Sequence, residues 1–412
     1  MECKKILAGF GKMDVTPFAK VHLGSFNNDM QRISRRINPN DPFNAMTLAL
    51  TDEQGDTMLF IVTDLSWGHI NWARKIRELI FEKYGIPGDH VVLGGTHNHS
   101  GPSWYGEALQ TAANQAYFDY WLVGVMSSVY IAMQDRAPAQ MQIGRTHTKG
   151  AGFVRRYWRE DGNLAGGGPQ QFYVQSDSPI VRHESEADEE VQMVRFHREE
   201  GKDILLTQWQ NHGCHIGGTA VCATDWIGPY RRKVERETGC HCFYMQGCGG
   251  NLTTITRIVE ENPAGYPKKK TADECGEMIA DTVIAACRKD TTFTSVNPGK
   301  IRTIQQTFHA NDVDGDPWEG ELNSISLGDI SVVTFPVEMF DTSGKEIKAA
   351  TPYKMTLLMD YTCGIHGYCP DKTAFANGGY EATSRGVSGT AERIVQTHLD
   401  ALQQMYDMEN SK

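Results

Sequence analysis

Residues 90–105 read HVVLGGTHNHSGPSWY. A short apolar run gives way to glycine, and two histidines follow, one residue apart, among Thr, Ser, Gly and Pro. The preceding segment, INWARKIRELIFEKYG at 70–85, spaces its apolar residues as a helix does and stops at Gly85 ahead of Pro87. A helix followed by a Val- and Leu-rich run reads as an α/β unit. The histidines then fall at the C-terminal end of a strand, the edge where α/β sheets collect binding residues. Side chains alternate faces along an extended chain, so His97 and His99 are expected to point the same way and share one pocket. Neutral imidazole is the commonest metal ligand near neutral pH. Spacing alone leaves a second reading open, because two polar histidines at a strand end can equally be solvated.

The same grammar recurs further along. LLTQWQNHGCHIGG at 205–218 is an apolar strand that runs into His212, Gly213 and His215. ISVVTFPVEMF at 330–340 is another, with Glu338 after a proline. Three strand ends, each offering a nitrogen or oxygen ligand, point to one metal pocket, and zinc accepts both His and Glu. Glu338 can equally cap the following segment, DTSGKEIKAA at 341–350.

The remaining segments fill in an α/β chain. NAMTLALTD (44–52) and TMLFIVTDLSW (57–67) read as strands joined by the turn EQGD. Helices are expected over 118–135, 227–239 and 275–289, and over 388–406 with Ser388 as N-cap. Strands are expected over 140–148, 242–247, 301–310 and 330–338, and a hairpin over 191–213 turning at EEGKD. Residues 150–190, rich in Gly, Gln, Ser and charge, read as a long loop carrying Arg155 and Arg156. With no repeat and no linker, the expectation is a single α/β domain over 1–412, with mixed β-sheets flanked by helices and a metal site at strand C-terminal ends.

The formal net charge of −11 argues against nucleic acid as a partner, since that partner calls for a basic surface. No apolar run approaches membrane-spanning length: AYFDYWLVGVMSSVYIAM at 116–133 is broken by Asp119. The start, MECKKILAGFGKMDVTP, has no apolar h-region. A cytoplasmic location, a small-molecule substrate, no stable membrane insertion and compatibility with a homo-oligomer are therefore expected. Of the 10 cysteines, Cys214, Cys222, Cys240, Cys242 and Cys248 fall in one region without a CxxC pair. Buried free thiols are the plain reading, and a metal–thiolate site the alternative.

Taken in order, six short motifs give the chain a resemblance to the neutral/alkaline (non-lysosomal) ceramidases over roughly residues 5–400. They are AGFGKMDVTPF at 8–18, GTHNHSGPSWY at 95–105, NHG at 211–213, QGCGGNLTT at 246–254, PVEMFDTSGK at 336–345 and GYCPDKTAFANGGYEATS at 367–384. The resemblance implies the ceramidase catalytic-domain fold and a zinc ion held by His97, His212, Glu338 and Tyr368. It also implies that His99 lines the site and that Tyr380 helps to hold a developing oxyanion, and it matches Arg155 to an arginine of the family's site. The bland reading of both tyrosines is core aromatics whose hydroxyls find nearby acceptors.

Departures from the family pattern narrow the expectation. Thr253 stands at the family's serine, Asn251 at its aspartate, and the proline after the serine is missing. Attack by a metal-activated water is then expected, with Thr253 a substrate or water contact. Trp104 and Tyr105 stand where the family has Gly and Tyr, and are expected to narrow the pocket. The chain ends soon after the late tyrosine segment, which implies a short form without the family's C-terminal sandwich domain. Arg155 and Arg156 can meet an anionic group on a substrate, or can equally be solvated loop charges. The leading expectation is a zinc-dependent hydrolase of an amide or ester smaller and more polar than ceramide. The alternatives are a ceramidase acting on N-acyl sphingoid lipids and a non-catalytic, metal-bearing relative.

Overall fold

The computed structural model describes residues 5–25, 29–38, 40–255, 257–258, 271–364, 366–383 and 386–411. Period-two patterning decides which way each strand faces. In Asn44–Thr51, Met46, Leu48 and Leu50 turn to one side, Ala45 and Ala49 turn to the other, and all five are buried. With both faces covered, the sequence here is almost continuously apolar rather than alternating. Each such large side chain, fully buried, stabilises the fold by about 1.5–3 kcal/mol.

This strand sits within a nine-stranded mixed sheet. The order is His241–Gln246, Ile204–Trp209, Glu190–Arg198, Ala137–His147, Ile6–Asp14, Asn44–Thr51, Thr57–Thr63 and Val91–Gly95, with Thr294–Ser295 added beside Ala137–His147. The outermost pair at each end of that order is parallel and the pairs between are antiparallel. A four-stranded sheet runs Ile301–Asn311, Pro317–Leu327, Ile330–Thr334 and Met355–Met359, with the last pair parallel.

The two sheets face each other across one core, where Phe10, Leu48 and Phe60 of the first meet Ile325, Val332 and Leu357 of the second. Helices cover the outer faces. Ile70–Tyr84 and Ala112–Gln134 cover one end of the large sheet's outer face, and Ile227–Thr238 and Ala272–Cys287 cover the other end of the same face. Asp341–Ala350 and Thr390–Asn410 back the smaller sheet. The result is four layers, helix, sheet, sheet, helix, the α/β class expected from sequence. The GFG of residues 9–11 explains one close approach. A Cβ on Gly9 would lie 2.1 Å from the Ala132 carbonyl oxygen and one on Gly11 would lie 1.9 Å from that of Ser128, so only glycine lets Ala112–Gln134 dock there.

Several expectations need correction. Residues 150–190 are not a plain loop: Arg156–Arg159, Leu164–Gly166 and Ile180–His183 form a small sheet, and Phe153–Val154 pairs with Leu252–Thr253. The strand expected over 140–148 begins earlier, at Ala137, and its Pro138 sits opposite Leu7. Ser388 does not cap the last helix, which begins at Thr390 after Gly389. No helix among the described residues is long and apolar enough to cross a membrane.

Candidate metal centre

The two strands that deliver histidines lie near opposite ends of the large sheet's order, Val91–Gly95 and Ile204–Trp209. The loops that leave them meet: Asn98 and Gly213 form a bridge, and the His99 amide donates to the Gly213 carbonyl at 2.9 Å. The Asn98 side chain pins the crossing. Its Nδ2 donates to the carbonyls of Ala223 and Asp64, and its Oδ1 accepts from the Ser100 amide. Beneath the loop, Arg231 grips Asp64 through two hydrogen bonds of 2.8 and 2.6 Å, a buried ion pair.

The extended-chain argument for His97 and His99 fails locally. The strand ends at Gly95, and His97 has a left-handed φ of 57°. Loop geometry, not strand alternation, brings the rings together. His97 Nε2 lies 2.9 Å from His99 Nε2, and the His97 and His212 ring centroids are 4.7 Å apart. One ligand atom from each of His97, His99 and His212 falls within 4.8 Å of the others, and all three residues are buried.

Tautomers follow from the neighbours. His97 Nδ1 faces the Ser66 carbonyl at 3.2 Å, and His212 Nδ1 faces the Gly249 carbonyl at 2.8 Å. A carbonyl can only accept, so each neutral ring carries its proton on Nδ1 and presents the Nε2 lone pair to the site. His97 is held by its rings as well: Tyr361 stacks flat on it and Trp67 meets it edge-on.

Glu338 completes the group from the second sheet's side. Its Oε2 lies 3.5 Å from His97 Nε2 and 3.3 Å from His212 Nε2. Glu338–Met339 pairs in parallel with Tyr368–Cys369, in a register that sets Glu338 opposite Tyr368. The Gly249–Gly250 turn passes directly behind: Gly250 donates to the Met339 carbonyl at 2.9 Å, and a Cβ on it would lie 2.5 Å from the Glu338 carbonyl oxygen. Glu338 is not the cap of the next helix, whose N-cap is Phe340.

The charge states suit a cation. Burial alone would raise the Glu338 carboxyl, but His97 and His212 outweigh it and hold it well below the usual range. Burial, then Arg155, lowers His212 to about 4, and burial, then His97 and His212, lowers His99. His99 and His212 are therefore neutral imidazoles beside an ionised carboxylate. His212 Nε2 and Glu338 Oε2 are buried without a hydrogen bond among the described residues, an arrangement a divalent ion would satisfy. The donor set fits a metal.

Around this centre the tyrosines and arginines form a second ring. The Arg155 guanidinium lies 5.2 Å from the Tyr368 ring centre, and Tyr368 meets Tyr380 edge-on with centroids 5.3 Å apart. Arg155 is placed by its backbone, which donates to the Asn251 carbonyl at 2.9 Å. Thr253 lies on the strand beside it, opposite Phe153, and its Oγ1 accepts from the Ile255 amide. It is the adjacent Thr254 whose Oγ1 meets His215 Nδ1, at 3.0 Å.

Two further residues, Trp104 and Arg156, lie elsewhere than expected. Trp104 is 1% exposed and packs among Trp72, Phe118 and Trp121, so it belongs to the core under the helices. Tyr105 is 37% exposed, and its hydroxyl accepts from the Ser25 amide. Arg156 is fully buried and bound to Glu184 and Glu381, so it is neither a solvated loop charge nor free to meet a substrate. The cysteines do not assemble: Cys214, Cys222, Cys240, Cys242 and Cys248 are free thiols, and among the described residues only the histidine group has metal-holding geometry.

Sequence reading passed over Asn98, Tyr361, Glu381 and Asp341. The last explains a departure from the ceramidase motif. Asn251 Nδ2 donates to Asp341 Oδ1 at 2.7 Å, and Asn251 Oδ1 accepts from the Asp341 amide at 3.0 Å. An aspartate at 251 would place two carboxylates in contact, so the amide is what this partner allows.

A four-layer α/β fold with a buried His–His–Glu group where strand ends converge defines the class of architecture. The chain has the fold of the neutral ceramidases. It superposes on the neutral ceramidase of Pseudomonas aeruginosa with a TM-score of 0.77 at 14% identity, covering 99% of this chain and 76% of that one. A ceramidase solved in complex with C2 matches with the same TM-score, identity and coverage. No protein-family model matches the sequence.

Proposed function

We propose that this chain is a zinc-dependent hydrolase of N-acyl amides, working as one catalytic unit. The observation that carries the reading is the convergence of His97 Nε2, His212 Nε2 and the ionised Glu338 carboxylate, each histidine fixed by a carbonyl at its other nitrogen. Zinc suits nitrogen and oxygen donors of this kind, with Tyr368 the fourth ligand, set opposite Glu338 by strand pairing. When bound, such an ion acidifies a water toward a pKa of about 7 and polarises a carbonyl.

The chain's own residues supply the rest. Arg155 and Tyr380 are the donors for a developing oxyanion, and a well-placed donor of this type is worth roughly 3–4 kcal/mol. His99 lies against His97 at the site's wall, and burial, which lowers its pKa, keeps it a neutral imidazole there. Thr253 is a substrate or water contact beside Arg155. The likeness to ceramidases supports amides over esters.

Metal analysis of purified protein and an N-acyl amide panel test this. We expect one equivalent of zinc, lost in His97→Ala/His212→Ala, and chelator-sensitive turnover of at least one amide. A metal-free protein, or zinc unchanged in the double variant, would sink the reading.

A further inference from the structure

Arg155, Glu381, Arg156 and Glu184 form a continuous chain of ion pairs behind the metal centre. Glu381 Oε1 accepts from Arg155 Nε at 2.9 Å, and its Oε2 accepts from Arg156 Nη1 at 3.0 Å. Arg156 turns its other edge to Glu184, with Nη2 donating at 2.9 Å, and also donates to the Ala374 carbonyl. Asn377 Nδ2 donates to the same Glu184 oxygen. Arg156 and Glu381 are wholly buried, and Glu184 nearly so. Burial opposes ionisation of Glu381, but Arg155 and Arg156 outweigh it and hold its carboxyl below the usual range. Two arginines are thus balanced by two glutamates.

This balance bears on the choice of substrate. Arg155 alone of the four leans over Tyr368 toward the site, with its Nε edge already given to Glu381. It retains a buried Nη2 without a hydrogen-bond partner among the described residues. A guanidinium so neutralised offers a directed N–H donor but no unpaired positive charge to hold a carboxylate.

We infer that Glu381 is a positioning residue that sets charge selectivity: by fixing and neutralising Arg155 it makes the site take uncharged acyl groups and reject anionic ones. This rests on the metal-hydrolase reading, and it replaces the sequence-based expectation that Arg155 and Arg156 meet an anionic substrate. Glu381 touches no substrate itself, and its position next to Tyr380 lets it hold both oxyanion donors in one frame.

The test compares the binding of butyrohydroxamate and succinohydroxamate, equal in length and differing in one carboxylate, to zinc-loaded protein by calorimetry. Wild type should prefer the neutral compound by about tenfold or more. Glu381→Gln should shift the ratio by at least tenfold toward the anion, and Glu184→Gln, which loses the same charge away from Arg155, should shift it less. A ratio unchanged in Glu381→Gln while zinc stays bound overturns the inference, because a purely structural role would not move charge preference. If that variant does not fold, wild type decides alone: preference for succinohydroxamate overturns the inference, and tenfold preference for butyrohydroxamate supports it. Binding of neither compound overturns the metal-hydrolase reading and this inference with it.

Discussion

The ring of His97 lies flat on that of Tyr361, with centroids 3.8 Å apart and planes 14° from parallel. Both residues have left-handed backbones, φ 57° and 59°. The Tyr361 carbonyl accepts from the Gly68 and Gly95 amides, which ties the ring's position to the strand that delivers His97. A ligand held on its face, at its edge and at Nδ1 loses little freedom on meeting a metal. Tyr361→Leu should therefore weaken metal affinity by about 10–100-fold, the usual scale for outer partners of a ligand. Tyr361→Phe keeps the ring and removes a buried hydroxyl that has no hydrogen bond among the described residues, so affinity should stay close to wild type. Competition with a chromogenic chelator separates the two.

Trp104 gives a prediction against its sequence-based role. It is enclosed by other aromatics, so Trp104→Ala should cost about 3–5 kcal/mol of stability through a cavity. Denaturant melts should register that loss. At a temperature where the variant is folded, KM should be near wild type, and a KM change without a stability change would restore Trp104 to the pocket wall.

The contrast between Trp104 and the histidines shows what the sequence makes legible. Long apolar strands such as Thr57–Thr63 announce themselves, and with them the strand ends where His97, His212 and Glu338 sit. Pairings of two to four residues, like those within 153–183, have too few positions for a period to show. Pro317–Leu327 was passed over because its first half is exposed on alternate residues and carries Pro, Gly and Glu. Glu381 was invisible for another reason: its partner Arg155 is 226 residues away, and nothing local marks either as half of a pair.

The Asn251–Asp341 pair predicts the outcome of restoring the family's aspartate. Asn251→Asp replaces a donor with a second buried carboxylate, which should destabilise the fold by about 1–3 kcal/mol or more at neutral pH. The deficit should shrink on acidification, as one carboxyl takes up a proton. Adding Asp341→Asn should recover much of the loss, and thermal melts of the four proteins form the double-mutant cycle that measures the coupling.

His398 supplies a pH dependence remote from the metal. It is wholly buried in the last helix, between Ser324 Oγ at 2.8 Å and the Thr334 carbonyl at 3.1 Å, and burial lowers it from 6.5 to about 4. A histidine depressed on folding binds protons more readily when unfolded, so its contribution is complete above pH 6.5 and is lost as pH falls toward 4. The loss is on the order of 3 kcal/mol at its limit. His398→Gln should be less stable at pH 7.5 but should show a shallower fall in melting temperature between pH 7 and about 4.5. An equally steep fall would place the sensitive group elsewhere.

Glu338 and Tyr368 are held opposite each other by a strand pairing only two residues long. What this pairing conserves is a register, and the number of residues in the intervening loops is free to drift. Insertions in those loops leave the two side chains facing. Deleting one residue within Glu338–Met339 turns the carboxylate to the opposite face. Distant relatives can therefore keep the site while losing every fixed spacing by which a sequence pattern would find them.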